Sequence, residues 1–86
     1  MPEVSRFLGI VIRFYYREHP PAHFHAEYAE FRAQIAIESH AIMQGRLPAR
    51  VLGLVQEWAE LPQGELAECW RQVQNHQVPQ RIAPLV

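Results

Sequence analysis

Hydrophobic residues in this chain change period partway along, and the change limits the class of fold open to it. From Gly9 to Glu38 apolar side chains recur at every second position; from Val51 to Val73 they recur every third or fourth. The first spacing belongs to strands with one buried face, the second to helices with one buried stripe. Gly9-Ile10-Val11-Ile12-Arg13-Phe14-Tyr15-Tyr16-Arg17 predicts a strand, being rich in β-branched and aromatic residues. Ile10, Ile12, Phe14 and Tyr16 share one face of it; Val11, Arg13, Tyr15 and Arg17 share the other.

A second strand is predicted from His23 to Tyr28, with Phe24, Ala26 and Tyr28 inward and His23, His25 and Glu27 outward. A short turn at Ala29-Glu30 leads to a third, Phe31 to Glu38, with Ala33, Ile35 and Ile37 inward. Ala41-Ile42-Met43-Gln44 adds a short fourth strand, closed by Gly45. Residues 1–8 read as a lead-in. Pro48 suits a helix start, and Val51, Leu54, Val55, Trp58 and Leu61 form an apolar stripe that Pro62 and Gly64 interrupt. A second helix, from about Glu65 to Asn75, buries Leu66, Cys69, Trp70 and Val73, and an extended tail, 81–86, follows. Trp58 and Trp70 are expected to fill the space between helices and sheet. The predicted fold is a two-layer α+β domain spanning 1–86. Its antiparallel sheet has three or four strands, followed by two C-terminal helices packed on one face.

Composition removes several function classes. Eighty-six residues allow one core. A chain of this size buries only about 60–65% of its unfolded surface, which makes self-association, such as a homodimer, a reasonable expectation. The formal net charge is −1, so no global field draws the chain to nucleic acid; a local basic face is still open to it. Cys69 is the single cysteine, which excludes an internal disulfide and a CxxC site. No apolar run approaches the roughly 20 residues of a membrane span, and the start lacks the basic and apolar regions of a signal peptide. A cytoplasmic location without membrane contact is expected. There is no aspartate and there are only two serines, so a serine–histidine–aspartate triad is excluded.

Chemistry concentrates in His19-Pro20-Pro21-Ala22-His23-Phe24-His25, which holds three of the five histidines. His23 and His25, two apart on a strand, project together, and the Pro-Pro step folds His19 back toward them. Neutral imidazole is the commonest metal ligand. His19, His23 and His25 are therefore the expected ligands of one divalent ion, zinc or similar. His23, His25 and Glu27 are the candidate catalytic groups, with Glu27 a fourth ligand or a general base. Arg6, Arg13 and Arg17 lie in the sheet half. Arg13 and Arg17 share a strand face with Tyr15, and arginines interleaved with an aromatic suit an anion or single-stranded nucleic acid. Glu57, Glu60, Glu65 and Glu68 place an acidic face on the helices, which suits a basic partner.

Several of these features together carry a resemblance. They are Met1-Pro2-x-Val4-Ser5-Arg6-Phe7-x-Gly9-Ile10, His19-Pro20-Pro21-Ala22-His23-Phe24-His25-Ala26-Glu27-Tyr28, Gly45-x-Leu47-Pro48, Val55-x-Glu57-Trp58-Ala59-x-Leu61, Trp70 and Ile82-x-Pro84-Leu85. In this order they resemble DUF4160, a family of small bacterial proteins catalogued as a domain of unknown function. Members often carry a third proline where this chain has Ala22. The resemblance implies one half of a toxin–antitoxin-like two-gene module, whose partner is a small protein encoded nearby. Two functional expectations follow: binding of that protein partner or of nucleic acid, and metal-dependent hydrolysis, as in a nuclease, through the histidine cluster.

Overall fold

The computed structural model describes residues 2–86. Five strands form one antiparallel sheet in sequence order: β1 (Glu3–Phe7), β2 (Ile10–Arg13), β3 (His23–Tyr28), β4 (Phe31–Ala36) and β5 (Ile42–Arg46). Two helices follow, α1 (Ala49–Glu60) and α2 (Gln63–Gln74). The α+β class and the two C-terminal helices are as the periodicity predicts, but the sheet has five strands, not three or four.

The extra strand is the lead-in. Glu3–Phe7 pairs with β2 from Glu3↔Arg13 to Phe7↔Ile10, with a register shift between Glu3 and Ser5. That irregularity puts both Val4 and Ser5 in the interior and erases the alternation a strand search relies on. The connection is the two-residue turn Leu8-Gly9, both at positive φ (52° and 81°). A leucine in that position is no turn signal. β2 ends at Arg13 rather than reaching Arg17, which itself adopts φ 62° in the loop that follows. Gly45 does not close β5; it lies inside it, paired with Ala33.

Ile10, Ile12, Phe14, Phe24, Ala26, Ala33 and Ile35 form the buried face of the sheet, as their alternation requires, and Val51, Val55, Trp58, Leu66, Cys69 and Val73 of the helices complete the core. Trp58 occupies its centre, 5.6 Å from the ring of Phe7 and edge-on to Phe24 at 5.8 Å. Its indole N–H donates to the Ala83 carbonyl at 2.8 Å. The tail is held by that bond, by Ile82 N–H donating to Val4 O at 2.8 Å, and by burial of the Ile82 side chain. Trp70 is only half-buried and packs at the sheet margin rather than in the core. Among the described residues no helix is long and apolar enough to cross a membrane.

Because both helices cover one face, the other face of the sheet stays open. The register lines up Arg13, His25, Gln34 and Gln44 across β2 to β5, and, in the next row, Val11, Glu27, Arg32 and Arg46. The polar half of each alternating strand is thus gathered on a single surface.

Candidate metal centre

His23 and His25 stand two apart on β3, where the sheet meets α2. The loop between β2 and β3, which contains a cis Pro20–Pro21 peptide, brings Glu18 over the start of the strand. The Gln74 side-chain amide of α2 donates to the Glu18 carbonyl at 3.0 Å and fixes the loop there. His23 Nε2 lies 2.9 Å from Glu18 Oε1, and His25 Nε2 hydrogen-bonds the same oxygen. These three residues form a group whose potential ligand atoms all lie within 4.8 Å of one another.

The other nitrogen of His23 sets the chemistry of the group. Nδ1 sits 2.9 Å from the Pro21 carbonyl oxygen. A carbonyl only accepts, so Nδ1 carries the hydrogen and the neutral ring presents a lone pair at Nε2. That lone pair faces a carboxylate oxygen. Two acceptors at this distance repel unless a proton lies between them or both turn toward one metal ion. A backbone carbonyl fixing one imidazole nitrogen while the other faces outward is the usual second layer of a metal-bound histidine. Two imidazole nitrogens and one carboxylate oxygen also suit zinc, iron, nickel or manganese. The residues present therefore fit a divalent ion.

Aromatic rings brace the pair from both sides. His25 packs on Tyr15 with ring centroids 4.2 Å apart, His23 on Trp70 at 5.2 Å, and the two imidazoles are 5.3 Å apart. Burial pushes the Glu18 carboxyl upward, but hydrogen bonds and charge from His25 and His23 outweigh it and hold the group below the usual carboxylate range. Tyr15 shifts the opposite way: burial first, then the Glu27 carboxylate, push its phenol up.

Beside His25 the open face of the sheet sinks into a cleft of about 290 Å³, walled by Tyr15, Glu27, Arg32, Gln34 and Gln44. Glu27 Oε2 accepts from the Tyr15 hydroxyl and Oε1 from Arg13 Nε, both at 3.3 Å. Both carboxylate oxygens are thus engaged, and Glu27 is a neighbour of the centre rather than a member of it.

The residues singled out by sequence scatter around this arrangement. His23 and His25 come together as expected. His19 is exposed in the loop and outside the group; Glu18, its neighbour, occupies the third position. Arg13 reaches the cleft through Glu27. Arg6, on β1, pairs with Glu3 at 2.8 Å, and Arg17 is exposed in the loop, off the strand face it was expected to share with Tyr15. The sequence pattern does not mark Glu18, and it does not link Trp70 and Gln74 to the histidines. Only a carboxylate beside the histidine run hinted at the first, and nothing local to the run hinted at α2.

The family model described as a domain of unknown function (DUF4160) matches residues 9–71, and the chain belongs to that family. Neither the curated proteins nor the solved structures contain a match.

Proposed function

We propose that this member of the family is a divalent-metal-dependent hydrolase of phosphodiesters, centred on Glu18, His23 and His25. One observation carries the reading: the Pro21 carbonyl commits His23 Nδ1 as a donor, so the neutral ring turns its Nε2 lone pair toward the same Glu18 oxygen that His25 Nε2 reaches. Glu18, His23 and His25 would hold the divalent ion, which would supply Lewis acidity toward a phosphodiester. The rest of the site is the protein's own. Tyr15, tethered to Glu27, fixes the plane of His25 from one side, and Trp70 fixes His23 from the other. Arg32, on the cleft wall, offsets the charge of a phosphate lying against His25.

The reading as half of a paired two-gene module sits beside this one. Glu57, Glu60 and Glu65 are exposed on the helices, away from the cleft, and an acidic face suits a basic protein partner.

Bis(4-nitrophenyl) phosphate is the direct probe of the hydrolase. The wild type is expected to release nitrophenol only with added zinc, manganese or nickel, and His25→Ala to lose at least 100-fold of that rate while keeping its fold. Absence of metal-stimulated release in the wild type with all three ions would overturn the reading.

A further inference from the structure

The open face of the sheet segregates charge in a way the net charge of −1 conceals. Arg6, Arg13, Arg32 and Arg46 all lie on β1, β2, β4 and β5, and the register sets Arg32 directly beside Arg46 and two strands from Val11, which pairs with Arg6. Glu57, Glu60, Glu65 and Glu68 belong to the helices, which pack on the opposite face. Glu3 and Glu27 are the carboxylates that offset the arginines locally, through Arg6 and Arg13. Among the described residues Arg32 and Arg46 take part in no ion pair. Both are exposed, and Arg46 lies 5.4 Å from the centroid of the Phe31 ring.

Two arginines paired across β4 and β5, neither of them in a salt bridge, on a face that also carries a partly buried tyrosine and two glutamine amides, suit a chain of phosphates better than a single one. Adjacent strands are about 4.8 Å apart, so the row Arg6, Val11, Glu27, Arg32 and Arg46 crosses the sheet over a span comparable to a few nucleotides. The 290 Å³ cleft beside Arg32, with Tyr15 on its wall, is of the size of one nucleotide unit. Stacking on an aromatic ring with arginines on the backbone is the general mode of single-strand binding.

We propose that this face binds single-stranded nucleic acid, with Arg32 and Arg46 on successive phosphates and the cleft beside Tyr15 and His25 taking one nucleotide. The proposal deepens the hydrolase reading by naming its substrate class, and it places a phosphodiester at the rim of the Glu18–His23–His25 group.

Fluorescence anisotropy with fluorescein-labelled ten-nucleotide oligo-U and oligo-dT tests it, on the protein as purified and again in EDTA. A duplex of the same length and the Arg71→Gln variant, changed on α2, serve as references. Arg32→Gln with Arg46→Gln is expected to weaken binding of the single strands at least tenfold. It should also flatten the dependence of log K on log salt by about 1.4, the contribution of two phosphate contacts on a single strand. Arg71→Gln should bind as the wild type does, and the duplex more weakly than either single strand. Unchanged binding by the double variant with a native circular dichroism spectrum would overturn the proposal, as would a duplex bound as tightly as the single strands. Binding lost in EDTA would also overturn it, by assigning the phosphates to the metal instead of the arginines. Single strands bound in EDTA by a protein that takes up no metal would uphold this site and refute the metal centre alone; a metal-loaded protein that ignores the oligonucleotides would do the reverse.

Discussion

One backbone carbonyl decides how His23 behaves. With Nδ1 donating to Pro21 O, the ring cannot turn a second N–H toward Glu18 without becoming an imidazolium, so the pocket favours a cation whether or not a proton supplies it. Sequence displayed the two histidines plainly, because a strand puts positions 23 and 25 on one side. It did not display Glu18. Histidine is the commoner ligand, which favoured His19, but the course of a loop decides whether residue 18 or 19 turns inward, and no spacing rule encodes that course. Cys69 shows the opposite case, a residue whose role the helical stripe foretold. It is fully buried, donates to Gln80 O at 3.4 Å, and burial, with Glu65 and Glu68 adding to it, pushes its thiol up to about 11. At pH 8 the native thiol is thus neutral and shielded, and iodoacetamide should leave it unmodified while labelling the same chain fully in denaturant. Because the folded pKa lies above the ordinary value of 9, the unfolded chain loses this proton first as pH rises. The stabilisation is therefore complete below about pH 9 and fades between there and pH 11. Rapid native labelling at pH 8 would contradict this placement of Cys69.

Elements were legible where alternation was regular and hidden where a single residue broke it. β3, β4 and both helices follow the period of their apolar residues, but His23, expected outward, is buried, and Leu61, expected in the apolar stripe, is 85% exposed. β1 is hidden in the sequence because its register shift buries Val4 and Ser5 side by side, and its turn uses Leu8 at positive φ. Glycine in a strand pattern usually marks an end or an irregularity, so the sequence predicts a stop at Gly45. Here it is the irregularity: its φ is 81°, and a β-carbon there would come within 2.2 Å of the Arg32 carbonyl oxygen. That oxygen belongs to the neighbouring strand and cannot swing aside as a side chain would. Gly45→Ala should therefore cost about 2–3 kcal/mol, lowering the thermal midpoint of a domain this size by roughly 10 °C or more. A melting curve superimposed on the wild type would show that β5 is not locked to β4 at this point. Since Gly45 and Arg32 sit on adjacent strands at the cleft, the same change should loosen the arginine face.

The whole molecule divides its labour between two faces. One is closed by α1, α2 and the tail around Trp58; the other is open, polar and arginine-rich, and the Glu18–His23–His25 group stands where the two meet. α2 contributes to both: Leu66, Cys69 and Val73 enter the core, while Trp70 and Gln74 reach the histidine loop. The sequence carried the two-layer class and the polar strand face, because both follow from periodicity. It could not carry the meeting of α2 with the loop, since Gln74 and Glu18 are joined only by the three-dimensional fold. The proposed hydrolase requires a divalent cation at the Glu18–His23–His25 junction. Native mass spectrometry of gently purified, zinc-loaded protein tests it most directly. One divalent ion per chain is predicted for the wild type and for His19→Ala, with loss of the ion from Glu18→Gln and from His23→Ala. A metal-free wild type, or an ion that survives both Glu18→Gln and His23→Ala, would contradict it.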